Sequence, residues 1–420
     1  MMVIHKWDAY RIYLIEQFLF SFTLALCWTL AMVFMIREAG LDPLQLVLVG
    51  TALEISAFTF EVPTGVVADV YSRRLSVILG YVLLGAGFLL MGLFPVFGVM
   101  LVSQVIAGIG YTFVSGAGSA WLADEIGEAR AGKAYLRGSQ MGSIGGIFGI
   151  IMSVTLGMGA LSFPIIAGSV SLMMGGVFLA LFMPENGFTP TPKAERETFK
   201  AMFSTFGAGV ATVRRRPVLL TLLGAIFVFG AFSEGFDRLW TFHLETNFTL
   251  PLLGEFDPII WYGIIGIVSS IIGMGFTEVV RRRLNTENQP SIARALLVIN
   301  SGIIVSVVIF ALVGQFAIAM LAFWILGALR GVNYPLQTAW INQGLDPKIR
   351  ATVLSITAQA DAIGQIAGGP GIGFIGRQFG VRTALAMGGL ILSPVLLLYP
   401  RSIRQSHAEI DARIDPVVPI

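Results

Sequence analysis

Four charged side chains stand inside stretches that are otherwise apolar, and their spacing suits a proton-binding network. Glu234, Asp237 and Arg238 lie close together in the apolar segment 217–245. Glu234 and Arg238 are four residues apart, so they can pair along one face of a helix. Asp237 then needs another partner, and Arg330, in a later apolar segment, is the remaining deep cation. An acid that changes its partner is what proton coupling requires, whereas fixed pairs would only hold two helices together.

Two further acids lie in an earlier apolar segment, 43–68. Glu54 and Glu61 are seven residues apart, so they share one face of a helix. An acid at the centre of a lone membrane span costs about 3 kcal/mol, so this face is expected to point into protein or water. Glu54 is the deeper of the two and is a candidate proton carrier; a structural hydrogen bond is the alternative.

The composition indicates that these charges lie in a membrane protein. The chain has 420 residues, of which 55% are hydrophobic and 12% charged, with a mean hydropathy of +0.81. Soluble proteins carry about 25% charged residues, and a spanning helix takes roughly 20 apolar residues. The net charge of +2 gives no argument for nucleic acid. The single cysteine, Cys27, excludes an internal disulfide, and three histidines make a metal site an unattractive interpretation.

Hydropathy predicts twelve membrane-spanning helices in two six-helix bundles. The predicted spans are 10–36, 43–68, 75–97, 98–123, 132–158, 160–183, 217–245, 258–280, 292–313, 315–343, 350–375 and 380–400. The corresponding domains are an N-terminal bundle, a cytoplasmic linker with an amphipathic helix, a C-terminal bundle and a tail: 1–183, 184–216, 217–400 and 401–420. Most of the 27 lysines and arginines fall in alternate connections, which predicts that both termini are cytoplasmic.

The two predicted bundles share landmarks in the same order. Ala120-Trp121 corresponds to Ala339-Trp340, and Arg130-Ala131 corresponds to Arg350-Ala351. Many secondary transporters are built from two such repeats around a central site. The repetition therefore predicts pseudo-symmetric halves.

The turn between the second and third spans resembles the signature loop of the major facilitator superfamily. Its residues are Gly65-x-x-Ala68-Asp69-x-x-x-Arg73-Arg74, with Val70 where a basic residue is usual and Ser72 where a glycine is usual. The runs Glu61-Val-Pro-Thr-Gly65, Ser115 to Glu125 and Glu234 to Trp240 resemble bacterial drug-efflux members. The resemblance covers essentially the whole chain and implies an all-α membrane fold.

This resemblance also implies roles for particular residues. Gly65, Asp69, Arg73 and Arg74 would form a cytoplasmic gate, with Asp69 contacting the start of the eleventh helix near Arg350. The first, fourth, seventh and tenth helices would line a central cavity. Asp237 and Arg330 could then meet across that cavity, and with Glu234, Arg238 and Glu54 they form the predicted proton-coupling set. A purely topological role for the charged turn is the alternative.

Aromatic and amide side chains on the four cavity helices predict the type of solute. The candidate cavity residues are Trp28, Gln104, Tyr111, Ser115, Trp240, Asn333, Tyr334, Gln337 and Trp340. Aromatic walls with few polar groups suit bulky amphipathic solutes better than sugars. Ordinary helix packing is the alternative for most of them. Gln104 stands where the family's fourth-helix motif has an arginine, so the proton machinery is expected in the second half.

These observations favour a secondary active transporter, not an enzyme. We expect a monomeric, multi-pass protein of the bacterial inner membrane that exports amphipathic, drug-like molecules in exchange for protons. No nucleotide-binding loop is present, so we expect no ATP and no cofactor, with the proton gradient as the energy source. The alternatives are a proton-coupled uptake symporter for a small metabolite and a non-transporting scaffold or receptor on a transporter fold.

Overall fold

The computed structural model describes residues 8–190, 213–214, 216–343 and 347–402, and within these ranges the chain is all-α. The helices in chain order are α1 Ala9–Arg37, α2 Pro43–Val70, α3 Arg73–Leu93, α4 Phe97–Val114, α5 Ala117–Ile126, α6 Glu128–Gly157, α7 Ser162–Phe182, α8 Pro217–Asn247, α9 Ile260–Arg283, α10 Gln289–Leu312, α11 Phe316–Asn342, α12 Pro347–Phe379 and α13 Val381–Leu392. A further helical stretch covers 395–402. The predicted all-helical fold class is confirmed.

Local sequence signals set where several helices begin. The Asp42 carboxylate accepts a hydrogen bond from the Gln45 amide at 2.9 Å, and the Asp42 amide donates to the Gln45 side chain at 3.0 Å. The Ser72 hydroxyl accepts from the Leu75 amide at 2.8 Å and caps α3. Such caps satisfy amides that have no partner within the helix. Ser72, where the family usually has a glycine, therefore ends the signature turn and starts α3.

Eleven helices among the described residues are long and apolar enough to cross a membrane. They correspond to the predicted spans except the eleventh, 350–375. That span coincides with α12, a helix of 33 residues that carries Asp361 and Gln365 near its middle. Every predicted span thus coincides with helix, and eleven of the twelve coincide with helices that are long and apolar enough to cross a membrane.

The predicted boundary between the third and fourth spans is wrong by several residues. α3 ends at Leu93 and α4 begins at Phe97, with Pro95 between them, where a proline cannot continue a helix. The fourth predicted span is also divided into α4 and α5. Gly116 separates them with a φ of 74°, a backbone conformation that favours glycine because it has no Cβ.

The chain divides into two compact units. Unit 1 contains Met1–Arg196 with Leu250–Ile267, and unit 2 contains Glu197–Thr249 with Val268–Ile420. The beginning of α9 therefore belongs with unit 1, although the predicted C-terminal bundle included it. Gly263 explains this placement, because a Cβ there would lie 2.8 Å from the Val154 side chain of α6. Most of the predicted linker and tail lies outside the described residues.

Glycines permit close helix contacts in each unit, as their spacing predicts. In unit 1, a Cβ on Gly142 would lie 2.8 Å from the Ser21 hydroxyl oxygen, and one on Gly145 would collide with the Phe18 carbonyl. These contacts join α6 to α1. In unit 2, a Cβ on Gly368 would lie 2.5 Å from the Ala231 Cα, which brings α12 against α8.

Three long helices contain an internal proline: Pro63 in α2, Pro335 in α11 and Pro370 in α12. Proline has no amide proton, so the carbonyl four residues before it loses its helical partner. In α11 that carbonyl belongs to Gly331, next to Arg330. The backbone of α11 is therefore weakened beside one of its charged side chains.

Candidate functional site

The predicted charge cluster of unit 2 is assembled on α8. The Arg238 Nε donates to the Glu234 Oε1 at 2.9 Å, one helical turn away. The Glu234 side chain is buried, and that of Arg238 is 13% exposed. A buried carboxylate is stabilised when a cation is bound to it. This pair is the one that the four-residue spacing predicts.

Asp237 pairs with Arg330 of α11 through two parallel hydrogen bonds. Arg330 Nη1 lies 2.5 Å from Asp237 Oδ1, and Nη2 lies 2.7 Å from Oδ2. The planar guanidinium matches a carboxylate in this two-bond geometry. The Asp237 side chain is 47% exposed and that of Arg330 is 21% exposed. The partner that the sequence analysis assigned to Asp237 is therefore the partner in the structure.

Aromatic rings surround the guanidinium of Arg330. Its Cζ lies 5.9 Å from the ring centre of Phe229, 5.8 Å from that of Phe232 and 5.5 Å from that of Phe236. Cations within about 6 Å of a ring face are attracted to it. The rings thus hold Arg330 by a contact that does not depend on Asp237, so the arginine retains a stabilising environment when the carboxylate pair opens.

The sequence analysis missed Asp361 of α12, which belongs to the same cluster. The Gln365 Nε2 donates to the Asp361 Oδ2 at 2.8 Å, and the carboxylate interacts electrostatically with Arg330 and Asp237. It lies against α8 at Gly230, where a Cβ would be 3.0 Å from the Asp361 Oδ1. The unit 2 cluster therefore holds three carboxylates and two guanidinium groups.

A second missed acid, Glu16, is buried in unit 1 and is 5% exposed. It accepts hydrogen bonds from the Tyr81 hydroxyl of α3 at 3.0 Å and from the neighbouring Gln17 side chain at 2.9 Å. No ion pair to Glu16 occurs within the part of the chain that the structure describes. Buried acids are uncommon in membrane spans, so a single acid in the first span was the signal that could have identified it.

Glu54 and Glu61 lie near one tyrosine on α4. Glu54 is half-buried and Glu61 is exposed, and both interact electrostatically with Tyr111. Tyr111, predicted to line a cavity, is 49% exposed. The structure thus brings together the predicted proton carrier Glu54 and one of the predicted cavity residues within unit 1.

The signature turn forms a network of charges within unit 1. Arg73 lies 3.8 Å from Asp69 and 2.8 Å from Asp124 of α5, so it connects the turn to that helix. The Arg74 amide and the Ser72 hydroxyl both donate to the Glu185 carboxylate. Asp124 and Glu185 are partners that the sequence analysis did not assign.

The predicted gate contact stays a prediction, because Asp69 belongs to unit 1 and Arg350 to unit 2. The Asp69 side chain is 63% exposed, and Arg350 is exposed as well. Gly65 lies one turn before the acid, and a Cβ there would meet no atom within 4 Å. Its surroundings in unit 1 therefore do not require a glycine.

Several predicted cavity residues contact the interior of their own unit. Asn333 accepts a hydrogen bond from Asn300 at 3.1 Å, and Gln337 donates to the Tyr399 hydroxyl at 2.9 Å. Trp340 stacks beside Tyr399 with 6.3 Å between ring centres. Their exposed fractions are between 1% and 4%. These three side chains are therefore packed inside unit 2, as in the alternative of ordinary helix packing given above.

The remaining candidates differ in exposure. Gln104 is buried and donates to the Met91 sulfur at 3.7 Å. Trp28 packs edge-on against Phe88, and Trp240 packs against Phe323. Tyr334, at 57%, and Ser115, at the α4–α5 break, are exposed, as is Tyr111. Exposed aromatic surface near the charge cluster is thus concentrated at Tyr334 of α11.

Comparisons with known proteins agree with this architecture. The family model described as Major Facilitator Superfamily matches residues 15–369. The Bacillus subtilis (strain 168) protein "Uncharacterized MFS-type transporter YxaM" is 22% identical over 362 residues, which is 85% of this chain and 87% of that protein. A mutant of the nucleoside transporter NupG has a TM-score of 0.76 at 12% identity, covering 94% of this chain and 100% of that one.

The peptide transporter POT in complex with sulfate gives a similar result. Its TM-score is 0.71 at 15% identity, with 95% of each chain covered. Similarity to solved structures at this level of identity shows the fold, while the family model covers most of the chain. From the match over 15–369 we conclude that this chain belongs to the Major Facilitator Superfamily.

Proposed function

We propose that this multi-pass membrane transporter, which is not an enzyme, is a proton-coupled exporter of amphipathic, drug-like molecules that works by alternating access. One observation carries the proposal: the two-bond pair between Asp237 and Arg330, which joins α8 to α11. Both helices are long and apolar enough to cross a membrane. Charged groups inside spans are rare and usually mark a path for an ion or substrate.

The pair supports coupling because its stability depends on protonation. An ionised carboxylate favours its arginine partner, and a neutral one gives up most of that attraction. The aromatic rings around Arg330 and the nearby Asp361 offer the arginine other interactions when Asp237 is neutral. Proton uptake would therefore open the two-bond pair and loosen α11 at Arg330, while the α8 rings keep part of the contact, and proton loss would restore the pair. This is the link between proton movement and helix movement that an antiporter needs.

Aromatic side chains near the pair support an amphipathic substrate. Phe229 lies beside Arg330, and Trp240 and Phe323 continue a partly exposed aromatic surface between α8 and α11. Phe232 and Phe236 are buried behind it. Ring faces bind flat apolar molecules and organic cations. A sugar-like solute would need more hydrogen-bonding groups than this surface offers.

Uptake of a small metabolite is the second candidate. The structures with a similar fold include proteins named as nucleoside and peptide transporters. The exposed carboxylate of Asp237 and the partly exposed guanidinium of Arg330 are also groups that bind polar solutes. The direction of transport relative to the proton gradient separates the two candidates.

Flux through purified protein in liposomes tests the proposal. With the lumen acidic, a proton-coupled exporter should exchange luminal protons for a fluorescent amphipathic dye from the outside, so that the dye accumulates in the lumen. Dissipating the proton gradient should stop this accumulation. A symporter instead accumulates its solute when the outside is acidic. Absence of flux for all dyes and metabolites in both gradient directions would favour the scaffold or receptor alternative.

We expect the transporter to be a monomer in the bacterial inner membrane with both termini cytoplasmic. Labelling can test the orientation because Cys27, the single cysteine, is buried. A cysteine at Leu252, which is 76% exposed, should react with an impermeant thiol reagent added outside cells. A cysteine at Asn285, in the α9–α10 turn, should react only after lysis. The reverse pattern would contradict the orientation.

For the gate, Asp69→Asn is expected to slow transport about tenfold or more without changing substrate affinity. A hydrogen bond to a charged group contributes about 1.5–3 kcal/mol, and the acid would hold the two sides closed in only one state of the cycle. Initial transport rates and equilibrium binding of the same dye provide the two measurements.

Asp124→Asn is the matched control, because it removes the 2.8 Å contact to Arg73 while leaving Asp69 in place. If both variants reduce transport equally, the local network within unit 1 is the cause. If neither changes the rate, the turn serves only to orient the protein in the membrane.

A further inference from the structure

An open groove of about 480 Å³ lies between the end of α9 and the start of α10, within unit 2. Val279, Val280 and Arg283 line it from α9, and Ser291, Arg294 and Val298 line it from α10. Val279 and Arg283 are four residues apart on α9, and Ser291, Arg294 and Val298 are spaced by three and four on α10, so each set forms one helical face. Two antiparallel faces thus form one continuous surface.

Within the described part of the chain, the two arginines of this groove have no acidic partner. Arg283 and Arg294 are exposed, and neither forms a hydrogen bond or an ion pair with a described residue. Their neighbours on α9 behave differently: Arg281 and Arg282 bind Glu278 at 2.6 and 2.5 Å. No acid from the described residues lines the groove. The groove therefore presents two positive charges that the described part of the protein does not neutralise.

Below the arginines the groove is apolar. Val279 is four residues from Arg283, and Val298 is four residues from Arg294, so each valine lies about 6 Å further along its helix. The valines are 55% and 70% exposed. Both helices are membrane spans, and the turn between them is polar. The charges are thus at a membrane surface, and the apolar wall extends from them into the bilayer.

We infer that this groove binds an anionic phospholipid, with the phosphate on Arg283 and Arg294 and an acyl chain along Val279 and Val298. The charge favours an anionic lipid over a zwitterionic one, whose ammonium group would face the same arginines. The depth of the apolar wall favours a lipid over a free phosphate. This inference goes beyond the proposed transport function and holds whichever solute is transported.

Native mass spectrometry of the full-length protein in detergent tests the inference. We expect phosphatidylglycerol to remain bound at concentrations where phosphatidylcholine with the same acyl chains does not. Replacing both arginines, Arg283→Gln with Arg294→Gln, should weaken phosphatidylglycerol binding about thirtyfold, since each arginine at an anionic surface contributes about fivefold. Val298→Trp should fill the groove and weaken binding while leaving both charges in place.

The matched control is Arg281→Gln with Arg282→Gln. It removes the same number of positive charges, both from the end of α9 that carries Arg283, and the side chains it removes are already bound to Glu278. We expect this control to retain binding within a few fold. Equal losses in the two double variants would reduce the effect to overall charge and overturn a site in the groove.

Three other results would also overturn the inference. Equal retention of phosphatidylcholine would indicate ordinary surrounding lipid. Displacement of phosphatidylglycerol by inorganic phosphate at similar concentration would indicate an anion site that does not use the acyl chain. Displacement by a transported dye, with no effect of Val298→Trp on lipid binding, would assign the groove to the substrate.

Discussion

Replacing Asp237 with asparagine is expected to abolish transport driven by a pH gradient, lowering the initial rate by about 100-fold. Asparagine keeps the shape of the side chain but cannot exchange a proton, and it leaves Arg330 without the two-bond partner seen at 2.5 and 2.7 Å. A 100-fold lower rate corresponds to about 2.7 kcal/mol of activation free energy, and we expect it from the lost proton exchange and not from the strength of the solvent-screened pair. Dye flux in liposomes with and without a pH gradient measures the initial rate of gradient-driven transport.

Downhill flux and stability separate coupling from a structural role. The Asp237 side chain is 47% exposed, so solvent screens the pair, and we expect a loss of unfolding free energy of about 1 kcal/mol or less. Flux down a dye gradient should persist in Asp237→Asn. If the variant instead melts many degrees lower and loses both kinds of flux, the pair is a static connection between α8 and α11.

Glu278→Gln is the matched control for this variant. Glu278 also binds arginine in unit 2, but its partners, Arg281 and Arg282, are on the same helix end. We expect gradient-driven transport to continue in this control. Gradient-driven transport at the normal rate in Asp237→Asn itself would remove Asp237 from the coupling mechanism.

The second large effect is on folding: Gly145→Ala is expected to destabilise unit 1 by about 3 kcal/mol. The added Cβ would collide with the Phe18 carbonyl where α6 crosses α1, and backbone cannot move aside as a flexible side chain can. The melting temperature of the purified protein in detergent and its yield from membranes both measure this effect.

Gly146→Ala is a close control because it changes the next residue in the same helix. A Cβ on Gly146 would meet no atom within 4 Å. Alanine also favours helix over glycine by about 1 kcal/mol, so this variant should be as stable as the original protein or more so. Similar melting temperatures for the two variants would show that α1 and α6 are not in close contact.

The sequence predicted features that follow from local spacing and hydropathy. Helical periodicity identified the Glu234–Arg238 pair, because residues four apart on a helix are neighbours whatever surrounds them. Gly145 and Gly149 are four residues apart, a spacing of small residues that favours close packing of membrane helices. The pairing of Asp237 with Arg330 was expected from the family resemblance, which places the seventh and tenth helices at one cavity, together with the small number of cations deep in the predicted spans.

Features that depend on tertiary packing were not predicted. Asp361 is one polar residue in a long helix, and its relation to Arg330 appears only when α12 packs on α8. The hydrogen-bond partner of Glu16 is likewise distant in sequence, since Tyr81 lies 65 residues later in the chain. Asn333 and Gln337 share a face that periodicity describes correctly, but periodicity does not say which neighbour covers that face.

Pro335 limits how much of α11 must move when Arg330 moves. The Gly331 carbonyl lacks its helical donor because proline has no amide proton, and helices bend most readily at such points. α11 can therefore act as two rigid helical segments joined by a hinge, with Arg330 in the N-terminal segment and Trp340 in the C-terminal one. A movement of the N-terminal segment would separate Arg330 from the Asp237 carboxylate while Trp340 stayed stacked on Tyr399.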